Sequence, residues 1–271
     1  MREVTVGVAP DLDSLAPWRY GLVIASGWNA KLRAVLVNDS LSRGAPMLAQ
    51  GDVLAEWLGR FRQVWTSQAD EVVRRLREQA KSRRVELDVV RHEGRVVDKL
   101  LEVGKDSSLI IAGRGRSSGV NPGSLGSRGE QLARRCRSAL FMSPLEYREP
   151  ERVIAAYAAK AQGDRVLDLA CDLAKALGKE LIVLTAGMDL DRIRAIQELA
   201  RARLSDRDVQ VEFEALPGKP ESVIPARVGS EDVLVLGPHG RSPIYRMLLG
   251  RVTDNVIRAV SGPFVLTAKE D

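Results

Sequence analysis

The chain has 271 residues, 45% of them hydrophobic but only 4% aromatic, with a net charge of +5 and a pI near 9.4. That length holds one large domain or two ordinary ones, and a core supply of Val, Leu, Ile and Ala points to helix-covered parallel sheets rather than an all-β sandwich. No apolar run approaches a membrane span, two histidines leave little material for a His-based zinc site or a Ser-His-Asp triad, and basic residues interleaved with acids, without interleaved aromatics, do not read as a nucleic-acid surface.

In chain order, an apolar strand from Val4 to Ala9 comes at once, so no signal peptide is expected ahead of it. The isolated Cys136 and Cys171 suit a reducing cytoplasm and no structural metal. Asp11 follows in a turn, residues 18–28 read as a helix, and 34–37 form a second strand ending at Val37. After a loop at 44–51, residues 53–81 read as a long helix carrying Leu54, Trp57, Leu58, Phe61, Val64 and Trp65, expected in core or interdomain packing. A strand at 85–90 and a short helix at 96–103 precede the continuous apolar run Leu109, Ile110, Ile111, which has the pattern of a strand buried on both faces. That strand leads through Ala112, Arg114, Gly115, Arg116 and Ser117 into a loop, then to Gly126, Ser127 and a helix through Cys136; residues 139–142 close the unit.

The polar, proline-containing stretch 147–152 is a candidate linker, and the pattern then restarts. Strands at 153–156, 180–185 and 209–214 alternate with helices at 164–177, 190–204 and from Pro220. The run Val233 to Leu236 enters a loop with Gly237, His239, Gly240, Arg241 and Ser242, Gly250 and Arg251 open a helix, and Phe264 to Leu266 start the last strand. Each half reads as an open α/β sheet, with domains expected at 1–147 and 148–271.

A strand feeding a glycine loop that ends at a helix start is a phosphate cradle. Glycines let the backbone approach an anion, and the first helical amides lack partners where the dipole favours negative charge. The second loop spaces its glycines as Gly237-x2-Gly240-x9-Gly250, neither the Rossmann nor the Walker pattern. On spacing alone it also fits a long βα connection with glycines at turns. Setting Gly115 against Gly240 makes the first loop Ala112-x2-Gly115-x10-Gly126-Ser127, a second copy of the device and hence a tandem repeat.

On these residues both halves resemble universal stress protein domains, and the whole chain resembles a tandem universal stress protein. The nucleotide-binding branch of that family carries G-x2-G-x9-G-[S/T] between its fourth strand and last helix. Here the second half has Arg251 for the Ser or Thr, and the first has Ala112 for the first glycine. The resemblance implies two five-stranded parallel sheets of order 3-2-1-4-5, adenine nucleotide alpha-hydrolase-like, with a site at the carboxyl ends between strands one and four. It also implies an Asp beside the nucleotide after the first strand, met by Asp11 but aligned with Ala158 in the second half. The Val near adenine is met by Val37, against Ala186. Asp11 equally fits an ordinary helix cap or Asx turn.

The resemblance implies an adenine-nucleotide-binding regulatory module of stress adaptation, taking ATP with or without Mg2+. No catalytic base or metal carboxylate pair is evident, so hydrolysis would be slow at most. The rival is a scaffold that has lost nucleotide; a nucleotide-cleaving enzyme would need a catalytic pattern absent here. Arg114, Arg116 and Arg241 read as phosphate donors or solvated loop arginines, and His239 as a loop residue rather than a general base. Arg251 would contact phosphate or fill the pocket. Because family members pair through their last strands, the halves are expected to pack as an intramolecular pseudo-dimer with Phe141 and Phe264 buried near the join; further homodimerisation is not readable. The first half, with Asp11, Val37, Gly115, Gly126 and Ser127, is expected to bind adenine selectively, and the second to be empty or to hold a simple anion.

Overall fold

The computed structural model describes residues 1–10, 15–39, 52–115, 125–159, 163–237 and 250–268, and the backbone alone of residues 52–55, 57 and 58. The first half contains β1 (Glu3–Val8), α1 (Ala16–Trp28), β2 (Lys31–Asn38), α2 (Asp52–Ser82), β3 (Leu87–Glu93), α3 (Val96–Val103), β4 (Leu109–Gly113), α4 (Ser127–Arg135) and β5 (Ala139–Ser143). The second contains β6 (Val153–Ala156), α5 (Gly163–Leu177), β7 (Leu181–Gly187), α6 (Leu190–Leu204), β8 (Val211–Pro217), α7 (Pro220–Arg227), β9 (Val233–Leu236), α8 (Arg251–Ala259) and β10 (Phe264–Leu266).

Within each half the strands are parallel, in the spatial orders β3-β2-β1-β4-β5 and β8-β7-β6-β9-β10. The two five-stranded parallel sheets have the strand order expected for each, and they are continuous with one another. β5 and β10 pair antiparallel, Phe141 opposite Val265 and Met142 opposite Phe264, so one sheet of ten strands runs through both halves. The physical reason is that both closing strands are short, apolar and fully buried, and each satisfies the other's free edge. Phe141 and Phe264 are buried on opposite faces of the join.

Continuous Val, Leu and Ile runs make the central strands apolar on both faces, so helices must cover both. One face carries the cluster built from α1, α2, α5 and α6, the other the cluster beneath α3, α4, α7 and α8. The edge strands differ from expectation: β3 and β8 lie two to three residues later than the apolar pattern suggested. Arg91, His92 and Glu93 pair with β2 despite their polarity, because an edge strand needs only one buried flank. The helix before β3, α2, has 31 residues against 15 in α6, its counterpart before β8.

The stretch between the halves is pinned. The Tyr20 hydroxyl donates to the Arg148 carbonyl at 2.9 Å, Tyr147 packs on Tyr20 with ring centroids 4.8 Å apart, and Pro150 is buried. α1 crosses α5 at Gly27, where a Cβ would lie 2.2 Å from the Ala176 carbonyl oxygen. Beside that crossing the Trp28 indole N–H donates to the Asp172 carbonyl at 2.9 Å. An exposed helical Gly→Ala change ordinarily stabilises by roughly 0.5–1 kcal/mol. Here Gly27→Ala should destabilise instead, by about 1–3 kcal/mol, because backbone must move to admit the methyl. Chemical denaturation of the two proteins measures the sign, and a raised midpoint would contradict the close crossing.

Candidate functional site

β4 delivers the chain to the carboxyl edge of the sheet at Gly113. The Arg114 N–H donates to the Ser143 carbonyl, and the Gly126 N–H donates to the Arg114 carbonyl, both at 3.0 Å, so the two ends of the first loop are stitched together. Gly115 takes φ +77°, a conformation that favours glycine; a Cβ there would meet nothing within 4 Å, so the demand is conformational rather than steric. Gly126 is the N-cap of α4 with extended dihedrals and makes no side-chain cap bond, and Ser127 is exposed as the first helical residue. Gly129, one turn in, sits under the Arg114 carbonyl, 3.0 Å from where a Cβ would stand. First-turn amides with no backbone partner among the described residues are therefore presented at the sheet's carboxyl edge, where the macrodipole favours an anion.

The neighbouring strand end is linked to the same helix. Val37 is buried near the end of β2, and Asp39 just beyond it is buried with its carboxylate 2.7 Å from Arg128 in the first turn of α4. In the second half Gly250 caps α8 in the same extended conformation, again with no side-chain cap, and Arg251 is exposed. The Thr253 hydroxyl donates to the Gly237 carbonyl at 2.9 Å, closing that loop onto its helix. In this half Met188, just after β7, and Val252, in the first turn of α8, are exposed and apolar.

Strand register revises the alignment of the halves. Val4 pairs with both Leu32 and Leu109, and Val153 with both Leu181 and Val233, so these are equivalent positions. Gly113 then corresponds to Gly237, and twelve residues separate each from its helix-capping glycine, Gly126 or Gly250. The first loop thus lacks neither the first glycine nor carries an extra residue. Ala112 is a buried strand residue matched to Leu236. What differs is the middle glycine, one place earlier at Gly115 than at Gly240. The same register sets Val37 against Ala186, as expected, but brings Asp11 in sequence count opposite Lys160 rather than Ala158. Aligning on the conspicuous Gly115 and Gly240 caused the slip. Asp11, Arg116, Ser117, His239, Gly240, Arg241 and Ser242 lie outside the described residues.

Arg114 is neither a phosphate donor nor a solvated loop residue. Its side chain is 3% exposed and crosses into the other half. One guanidinium nitrogen donates to the Val260 carbonyl at 2.6 Å, another to the Gly262 carbonyl, and the group stacks over the Phe264 ring with its carbon 4.9 Å from the centroid. Val260 caps the C-terminus of α8, so the charge also meets the negative end of that helix. Burial pushes the guanidinium down to about 10, still well above neutrality. Nothing in local sequence names partners nearly 150 residues away, which is why this contact was not foreseen. The Asp39–Arg128 pair was likewise missed.

Among the described residues no group of three or more His, Cys, Asp or Glu side chains could hold a metal ion, and no described helix is long and apolar enough to cross a membrane. Residues 186–267 match the model of the Universal stress protein family. The chain is 28% identical over 187 residues to a universal stress protein of Synechocystis sp., an alignment covering 67% of this chain and 64% of that protein. It is 26% identical over 192 residues to a universal stress protein of Mycobacterium tuberculosis, covering 63% of this chain and 65% of that one. The chain thus spans just under two thirds of these relatives' lengths. A universal stress protein from Archaeoglobus fulgidus has the same fold, with a TM-score of 0.72 at 18% identity and 98% of each chain covered.

Arg114→Met keeps an apolar stem but leaves two buried carbonyls without their donor. It should cost about 2–4 kcal/mol. Because the folded value near 10 lies below the ordinary arginine value, the linkage would raise stability with pH only above about 10. The difference between wild type and Arg114→Met should therefore be flat from about pH 6 to 9 in denaturation experiments, apart from groups common to both.

Proposed function

We propose that the chain is a tandem universal stress protein, with domains 1–147 and 148–271, that binds an adenine nucleotide, ATP foremost, in its first half and acts as a regulatory module in stress adaptation. The observation carrying this reading is the uncapped start of α4, where Gly126 and the exposed Ser127 open a helix at the carboxyl edge of the sheet. First-turn amides and the Ser127 hydroxyl would hold phosphate oxygens, with Arg128 beside them and Val37 on the base side. Gly113 and Gly115 keep the loop backbone free of side chains where the phosphates would lie. Asp11 is assigned to the nucleoside on the family resemblance. Any Mg2+ would be carried by the phosphates, since the described residues supply no ligand cluster.

The second half keeps a similar helix start at Gly250 and Arg251, with Gly237 and Gly240 in its loop, but lacks the groups that would hold a nucleoside. In this reading it is empty or holds a simple anion. The exposed Met188 and Val252 favour a second reading, a protein-contact scaffold, for that half. A cytoplasmic location and a homodimer of the whole chain belong to the same proposal, the former from two isolated cysteines that form no disulfide.

Calorimetry should find one ATP per chain. Gly126→Val should weaken it about tenfold or more, by placing a branched side chain at the approach to the amides. The fold should survive, because φ −64° and ψ 163° are open to any residue. Gly250→Val should leave ATP affinity unchanged. Nucleotide lost only in Gly250→Val would reverse the assignment of halves, and no binding at millimolar ATP would favour the scaffold.

A further inference from the structure

Three polar side-chain atoms near the carboxyl ends of β2 and β3 are buried with no hydrogen-bond partner among the described residues: Asn38 Oδ1, Trp65 Nε1 and His92 Nε2. An unpaired buried polar atom costs about 1–3 kcal/mol, and native structures keep few without a reason. Asn38 ends β2 and is 3% exposed. Strand alternation puts it on the face of Ala34 and Leu36, which belongs to the core cluster beneath α2. Trp65 packs against that same cluster from α2. Ion pairs from Arg62 to Glu93 (3.3 Å) and from Asp70 to Arg91 (2.7 Å) hold the α2 turns on either side of Trp65 against the end of β3. Glu93 is in turn the register partner of Asn38.

An unsatisfied acceptor and an unsatisfied donor thus stand on one face at one strand end, the edge at which open α/β sheets bind ligands. His92 pairs in register with Val37 on the opposite face and adds a third atom without a partner among the described residues. In the second half Gly187 stands in the place of Asn38 and Leu216 in that of His92, although Thr185 Oγ1 and Gln197 Nε2 there are also buried with no partner among the described residues.

We infer that Asn38 and Trp65 read the base of the nucleotide, and that the group they take is the amidine edge of adenine. Asn38 Oδ1 accepts from the exocyclic amine, and Trp65 Nε1–H donates to the adjacent ring nitrogen. A 6-oxo purine reverses both polarities, setting acceptor against acceptor and donor against donor. This inference rests on the nucleotide reading of the first half and adds the residues that select the base.

Calorimetry with ATP and inosine triphosphate tests it on the full chain. Wild type should prefer ATP by about tenfold to a hundredfold. Asn38→Leu and Trp65→Phe should each lower ATP affinity about tenfold and bring the ratio of the two nucleotides toward one. Trp65→Phe keeps a ring and loses only the N–H, so it carries the test should Asn38→Leu fail to fold. A folded variant that retains the wild-type ratio overturns the base-reading role while leaving nucleotide binding intact. A wild type that binds neither nucleotide overturns the nucleotide reading, and this inference with it.

Discussion

The antiparallel pairing of β5 with β10 is the contact on which the remaining architecture depends. A five-stranded parallel sheet ending on a short apolar strand has an unsatisfied edge, and that edge is a liability in water. Here each half supplies the other's missing neighbour from within the same chain, so the pairing is intramolecular and independent of protein concentration. The join puts Phe141 under Tyr20 on one face and Phe264 under Arg114 on the other. Both helical layers are then drawn across the seam, α1 onto α5 at Gly27 and the α4 side onto α8 through the Arg258–Glu130 ion pair at 2.9 Å.

A buried arginine at such a seam needs physical justification, because removing a guanidinium from water is expensive. Arg114 is compensated by two backbone carbonyls, a helix C-terminus and an aromatic face, with Nε left without a partner among the described residues. Its backbone meanwhile fixes the mouth of the first loop through Ser143 and Gly126. One residue therefore ties the geometry of the first cradle to the end of the helix whose other end forms the second. The surface ion pairs along α2, such as Arg74 with Glu71, carry far less weight because both partners are exposed.

The order and type of the elements were legible because the central strands are continuous apolar runs and the helices are amphipathic. Strand order was legible only through family resemblance. The limits of β3 and β8 were not, since Arg91 to Glu93 are polar residues held in a strand by tertiary pairing with β2. The loop alignment failed for a related reason. Glycines are conspicuous in a sequence, but equivalence between halves is fixed by hydrogen-bonded register, and register places Gly113, not Ala112, opposite Gly237. The partners of Arg114 and Asp39 were illegible altogether, because each is decided by chain segments far away in sequence.

Register also sharpens the difference between the halves. With equal spacing from Gly113 to Gly126 and from Gly237 to Gly250, the lengths of the two anion-facing loops do not distinguish them. The distinction moves to the corner beside each cradle. In the first half that corner has a buried carboxylate held by Arg128 and an orphaned amide oxygen at Asn38. In the second, Gly187 offers no side chain and Met188 is exposed. Orphaned buried polar groups are tolerated where something else satisfies them for part of the protein's life, and an apolar, side-chain-poor corner makes no such demand. The two halves thus share a fold and an anion-facing helix start, and the first adds an unsatisfied amide oxygen at the end of its second strand, where the second half has a glycine.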